Sequence, residues 1–126
     1  MKFNVLIGIV VSLILFPAFA NCSEGIGFKT VDEALSALKI KVGVSVSVQG
    51  GWTIVEDSEK GNMVLWSFTP SSHPAHPAAV KRTVIEKDKH KHIYIQMKAL
   101  CQASKVECDS LIAEFEALNK KIQGSL

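Results

Sequence analysis

The segment VGVSVSVQGGWTIVED, residues 42–57, constrains the fold of this 126-residue chain more than any other stretch. Valine occupies every second position from Val42 to Val48, with Gly, Ser and Gln after each valine, which predicts a strand with one apolar face. Gly50 and Gly51 can both adopt positive φ, as a two-residue hairpin turn requires. The segment therefore predicts two antiparallel strands, the second running from Trp52 to Asp57.

Apolar residues in alternation or in short runs predict three further strands: Met63–Thr69, Val80–Lys87 and Lys91–Leu100. Trp52, Trp66 and Phe68 could form a stacking platform for sugars or bases. Their spacing is that of the buried face of a strand, which favours a place in the core.

Two capping boxes predict the helices. Residues 30–33 (TVDE) and 104–107 (SKVE) each place a hydroxyl at the N-cap and a glutamate three residues later. Apolar residues at helical spacing follow both boxes. We therefore expect a helix over residues 31–39 and another over residues 105–122.

The order is helix, five strands, helix, with short connections. It predicts an α+β fold of two layers, in which an antiparallel meander of about five strands carries both helices on one face. The register of the fourth strand stays open, because Val80, Val84 and Ile85 do not all fit one face.

The first twenty residues have the features of a cleaved signal peptide. Lys2 provides a positive start, residues 5–16 form an apolar run, and Ala18-Phe19-Ala20 supplies small residues for a signal peptidase. The run is too short to span a bilayer as a helix. We expect residues 21–126 to form a single α+β domain that is periplasmic or secreted.

Three cysteines in an exported chain suggest one disulfide and one unpaired thiol. Cys101 and Cys108 would be ~10 Å apart within one straight helix, whereas a disulfide needs Cα atoms within ~7 Å. They can pair only if Cys101 precedes the last helix, which predicts a disulfide between that helix and the fifth strand. Cys22 allows an alternative, a lipid anchor, although Asn21 before it fits a lipidation site poorly.

The charge balance excludes some partners. Of 14 Lys and Arg residues, all but Lys2 remain after signal cleavage; these 13 against 12 Asp and Glu leave about +1. Neither nucleic acid nor an anionic membrane is expected to attract the chain. No apolar segment after the signal peptide could span a membrane. We recognise no cofactor motif, nucleophile motif or Gly-rich phosphate loop, so a non-enzymatic protein is favoured over an enzyme.

Residues 66–82, WSFTPSSHPAHPAAVKR, contain the candidate binding surface. Pro74 and Pro77 restrict His73 and His76 to extended conformations. In a meander the start of the fourth strand lies beside the end of the fifth. We therefore expect four residues to share one end of the domain with the N-terminus of the last helix: His73, His76, Lys81 and Arg82. That end suits an anionic group or a partner chain, although the prolines could serve only to stiffen a crossover.

The four histidines raise a metal-binding alternative. His73 and His76 could bind zinc or copper with a further ligand from elsewhere. His90 and His92 cannot complete that site, because the fourth strand separates the two pairs by roughly 25 Å.

The chain resembles small uncharacterised exported proteins of Gram-negative bacteria. The resemblance lies in WSFTP…HPAHPAAVKR, the paired cysteines and the terminal LIAEFEALN helix, over about residues 50–120. It implies a periplasmic or secreted setting and no particular activity.

The function expected from the sequence is binding. We expect an exported, non-enzymatic module that engages a protein or envelope component through the end of the domain that contains the loop with His73 and His76. The alternative is a periplasmic metal-binding protein that uses His73 and His76, and a small hydrolase is the least favoured class.

Overall fold

The computed structural model describes residues 25–87 and 92–125. The expected signal peptide, Cys22 and His90 lie outside these residues. The elements are α1 (Val31–Ile40), β1 (Ser45–Gln49), β2 (Trp52–Glu59), β3 (Asn62–Phe68), β4 (Ala78–Glu86), β5 (Ile93–Cys101) and α2 (Lys105–Gly124).

The five strands form one antiparallel sheet in the order of the sequence. Gly50 and Gly51 both have positive φ in the β1–β2 turn, as the sequence predicts. Lys60 and Gly61 repeat this conformation in the β2–β3 turn. The predicted α+β fold, an antiparallel meander between an N-terminal and a C-terminal helix, is confirmed.

The two helices cover opposite faces of the sheet, which corrects the expectation that both lie on one face. Ala79 and Leu100 belong to the core cluster that contains α1. Ala78 and Ala99, their immediate neighbours, belong to the cluster that contains α2. Successive residues of a strand point to opposite faces, so the sheet has an α1 face and an α2 face. The meander therefore separates two small cores.

The core on the α1 face is built around aromatic and branched side chains. Its buried members are Ile26, Val31, Ala34, Leu38, Val55, Val64, Trp66, Phe68, Ala79 and Leu100. The core on the α2 face has smaller strand residues beneath the helix. Its buried members are Ala75, Ala78, Val80, Ala99, Leu111 and Phe115.

Apolar residues on both faces explain why the register of β4 could not be read from its sequence. Val84 lies on the α2 face near Ile122, whereas Ile85 lies on the opposite face, in a groove that Gln96 and Lys98 also line. Because each register contains an apolar residue at this end of the strand, alternation is lost.

β1 departs from the expected burial. It begins at Ser45, after Val42, and all five of its residues are exposed. α1 has only ten residues, and its core cluster extends from β2 to β5. Val46 and Val48 consequently form an open apolar strip at the edge of the sheet.

Candidate functional site

The connection between β3 and β4, residues 70–77, is here called the His-Pro loop. Two backbone hydrogen bonds fold it back on itself. His73 N donates to Pro70 O at 3.0 Å, and His76 N donates to His73 O at 3.0 Å. The peptide bond between His76 and Pro77 is cis. The loop is thus a compact turn.

Both histidine rings are held through Nδ1. His73 Nδ1 accepts a hydrogen bond from Ala75 N at 3.0 Å, and its ring meets the Trp52 ring edge-on with centroids 5.2 Å apart. His76 Nδ1 lies 2.9 Å from Thr69 Oγ1 and 3.1 Å from Thr69 O. His76 is nevertheless exposed, and His73 is half-buried.

The loop is also anchored from the β5–α2 connection. Gln102 N donates to Pro77 O at 2.9 Å. The Gln102 side chain reaches the other face, where its Oε1 accepts a hydrogen bond from Val31 N at 2.8 Å. The His-Pro loop, the start of α1 and the start of α2 therefore meet at one end of the sheet.

The predicted disulfide between Cys101 and Cys108 is confirmed, with Cα atoms 5.8 Å apart. Cys101 is the last residue of β5, so it precedes the helix as the spacing required. Cys101 Sγ lies 3.6 Å from Ala75 O, which places the disulfide against the His-Pro loop. An open groove of about 320 Å³ runs beside it, lined by Ala99, Cys101, Ala103, Lys105, Cys108, Asp109 and Ile112.

Lys81 and Arg82 do not join the loop. They lie further along β4 and point to opposite faces of the sheet. Lys81 Nζ is 2.9 Å from Glu59 Oε2 and 5.2 Å from the centre of the Trp66 ring, on the α1 face. Arg82 lies under α2, with Cζ 5.1 Å from the centre of the Phe115 ring. The expected four-residue surface is thus divided among three places.

Arg82 is a buried charge, whereas the sequence predicts it at the binding surface. It is 9% exposed, and its Nε has no hydrogen-bond partner among residues 25–87 and 92–125. Burial lowers the pKa of the Arg82 guanidinium below its ordinary value, although a guanidinium remains charged in proteins. One signal was available: Arg82 stands two residues from both Val80 and Val84, on the same face of the strand.

Within residues 25–87 and 92–125, no group of three or more His, Cys, Asp or Glu side chains is arranged to hold a metal ion. The described residues thus provide no third ligand for His73 and His76. Over the same residues, no helix has both the length and the apolar character needed to cross a membrane.

Comparisons with protein-family models, with curated proteins and with solved structures returned no match. The resemblance to small exported proteins of Gram-negative bacteria therefore stays a prediction.

Proposed function

We propose that this protein is an exported, non-enzymatic binding module that engages another protein or an envelope component at its His-Pro end. The His-Pro end comprises the His-Pro loop and residues 101–105, which connect β5 to α2. One observation carries the proposal: hydrogen bonds brace the loop from both sides while Pro74 and His76 remain exposed.

A loop that is already ordered favours binding, because the conformational entropy of ordering it is lost when the protein folds and not when a partner binds. An unrestrained loop would lose conformational entropy when a partner immobilised it. Here the hydrogen bond from Gln102 N and the contacts of both histidine rings already fix the loop. Exposed groups on such a frame can meet a partner without further rearrangement.

The groove beside the disulfide supplies a place for a partner's side chain. It adjoins the loop through Cys101, and its apolar floor includes Ala99 and Ile112. Rigid polar groups next to an apolar recess are the usual make-up of a recognition surface. The combination favours a folded partner or a peptide over a small ion.

The disulfide supports the exported setting in the proposal. Disulfides persist in oxidising compartments such as the periplasm and the extracellular space. The sequence of the first twenty residues points the same way.

Site-specific photo-crosslinking in envelope extract tests the proposal. A photoreactive residue replaces Ser72 in the exposed part of the loop, and in a matched protein it replaces Glu86, exposed at the other end of β4. We expect a discrete crosslinked product from position 72 and none from position 86. His76→Ala should weaken that product several-fold, because it removes an exposed group from the surface.

His92→Ala provides the matched control, since it removes the same residue type at the far end of β5. It should leave the crosslinked product unchanged, and thermal melts of both variants should show that they remain folded. The proposal fails if position 72 yields no product, if both positions yield the same products, or if folded His76→Ala is captured normally.

A further inference from the structure

A polar groove of about 320 Å³ lies on the α1 face, at the end of the sheet opposite the His-Pro loop. Three lysines line it, Lys60, Lys81 and Lys98. Among the residues described, Glu59 is the single carboxylate in its lining. The groove therefore concentrates positive charge, although the whole chain has a formal net charge of only +2.

Two of the lysines face each other across neighbouring strands. Lys81 of β4 is paired with Lys98 of β5, so both side chains project from the same face at directly opposite positions. Like charges in this arrangement destabilise a sheet. Lys81 Nζ lies 2.9 Å from Glu59 Oε2, but no carboxylate of residues 25–87 or 92–125 pairs with Lys98. An anion between the two ammonium groups would remove the repulsion.

Both of these side chains are restrained in the folded protein. The Lys81 side chain is 14% exposed, and its Nζ lies 5.2 Å from the centre of the Trp66 ring. The backbone of Gly25 passes so close to Lys98 that a side chain at Gly25 would place its Cβ 2.8 Å from Lys98 Cβ. Restrained cations lose little conformational entropy when an anion binds between them.

The third lysine stands where the backbone disfavours it. Lys60 has a φ of 51° in the β2–β3 turn. Glycine or asparagine adopts this left-handed conformation at a lower cost than lysine does. The turn therefore does not need the Lys60 side chain, which lines the groove without an ion pair among the residues described.

We propose that this groove binds a phosphate ester of a polyhydroxylated compound, such as a sugar phosphate, with the phosphate among the three lysines. Lysine ammonium groups bind phosphate as point charges. Asn62, Thr83 and Gln96 also line the groove. Their amide and hydroxyl groups both donate and accept hydrogen bonds, as the hydroxyls of a sugar require.

The size of the groove favours such an ester over a bare phosphate ion. Its volume of about 320 Å³ is close to the lower end of the ~300–1,000 Å³ found for small-molecule sites. It equals the volume of roughly ten water molecules in the liquid, at ~30 Å³ each. A phosphate ion alone would leave the amide and hydroxyl side chains without a ligand.

The test is calorimetric titration of folded protein with glucose 6-phosphate, inorganic phosphate and glucose. Glucose 6-phosphate should bind about tenfold more tightly than glucose, as expected for hydrogen bonds to a charged group, and several-fold more tightly than inorganic phosphate. Added salt should weaken its binding, because the lysines are near the surface. In NMR spectra it should shift the amide signals of Thr83 and Gln96 and leave those of the His-Pro loop unchanged.

Two variants separate a binding role from a structural one. Lys98→Gln removes one of the two opposed charges, and Lys60→Gly relieves the backbone of the turn. Each should weaken glucose 6-phosphate binding several-fold while the melting temperature stays the same or rises. Lys98→Arg keeps the charge and should retain binding. Lys120→Gln, which removes an exposed charge from α2, should also leave binding unchanged.

Phosphatidylcholine vesicles with and without lipid A, which carries phosphate esters on sugars, distinguish the source of the ligand. Capture by the lipid A vesicles that glucose 6-phosphate reverses supports a lipid-borne phosphosugar. Binding of glucose 6-phosphate with no capture by either vesicle supports a soluble one. The proposal is overturned if glucose 6-phosphate does not bind, if inorganic phosphate binds as tightly, if Lys98→Gln and Lys60→Gly bind normally, or if Lys120→Gln weakens binding equally.

Discussion

Asp57 is a buried carboxylate whose partners come from two parts of the chain. Its side chain is 5% exposed, and it accepts hydrogen bonds from Lys41 Nζ at 2.6 Å and from Ser58 N at 2.8 Å. Burial alone would raise the pKa of Asp57. The hydrogen bonds from Lys41 and Ser58, with the nearby charges of Lys41 and Lys81, outweigh burial and hold it below its ordinary value.

The lowered pKa of Asp57 makes part of the stability depend on pH. A carboxyl with a depressed pKa in the folded protein stabilises it fully above its unfolded pKa of about 3.9, and this contribution disappears as the pH falls through the folded pKa. Asp57→Asn should lower the free energy of unfolding at pH 7 by about 1 kcal/mol or less, because Lys41 is half exposed. The difference from the unmodified protein should shrink as the pH falls below about 3.9 and through the folded pKa, as measured by urea unfolding.

Asp109→Asn is the matched control for that prediction. Asp109 also pairs with a lysine, Lys105, at 2.6 Å, but both side chains are exposed. The Asp109→Asn substitution should change the free energy of unfolding little, both at pH 7 and at acid pH. A difference for Asp57→Asn that stays constant from pH 7 to pH 2 would contradict this account of the carboxylate.

The positions of Lys81 and Arg82 in the fold show how much the sequence around a residue can predict about its environment. Both are cations in the same strand, and their neighbours predict a strand correctly. Arg82 is buried because α2, which is distant in sequence, covers its side of the sheet, whereas Lys81 lies on the other side and meets Glu59 and Trp66 from neighbouring strands. Alternation along the strand predicts that the two side chains point to opposite faces of the sheet. It does not predict which of these faces is exposed to solvent.

At the scale of elements, the disulfide joins the end of β5 to the second turn of α2 and rests against the His-Pro loop. Replacing Cys101 and Cys108 together by serine should lower the free energy of unfolding by at most about 2–3 kcal/mol, the entropy expected for a closed loop this short. Chemical denaturation checks the value. Unmodified protein in reductant should lose the same amount.

Hydrogen exchange gives that prediction a local measure. The amide of Gln102 donates to Pro77 O just beyond the disulfide, so its protection should fall in the double serine variant. The amide of Val55, in the middle of β2, should lose protection only to the extent that global stability falls. Equal stability with and without the disulfide would show that hydrogen bonds alone hold this connection.

The elements themselves could be predicted because their signals are local. The hydroxyls of Thr30 and Ser104 cap the helices as expected, accepting from Glu33 N at 3.1 Å and Glu107 N at 3.4 Å. Placement of the helices could not be predicted in the same way. The strands carry apolar residues on both faces. The face that each helix covers depends on tertiary packing, which no local sequence pattern encodes.

At the scale of the whole molecule, β1 leaves one edge of the sheet open. Val48 is 70% exposed and Val46 is also exposed. Within the part of the chain that the structure describes, the strand pairs only with β2. An apolar edge strand with unpaired backbone groups is a template for pairing with another chain. Val48→Lys should therefore reduce concentration-dependent self-association in sedimentation or light-scattering experiments, while changing the free energy of unfolding by under ~0.5 kcal/mol.

Val106→Lys tests whether position matters or only added charge. Val106 is 77% exposed on α2, away from β1. This variant should self-associate as the unmodified protein does. If both lysine variants suppress association equally, net charge and not the edge strand governs it.

The hydrogen bond between Val31 and Gln102 joins residues 71 positions apart, and it has a consequence for the order of assembly during synthesis. Each strand pairs with the one made just before it, so the sheet can grow as the chain emerges. α1 emerges before every strand, yet its core includes Leu100 from the last one. β2 and β3 supply Val55, Trp66 and Phe68 to that core, but the core is complete only when β5 has been made. Among the helices and strands described, α1 would therefore be the first to offer a chaperone an apolar surface and the last to have its core completed.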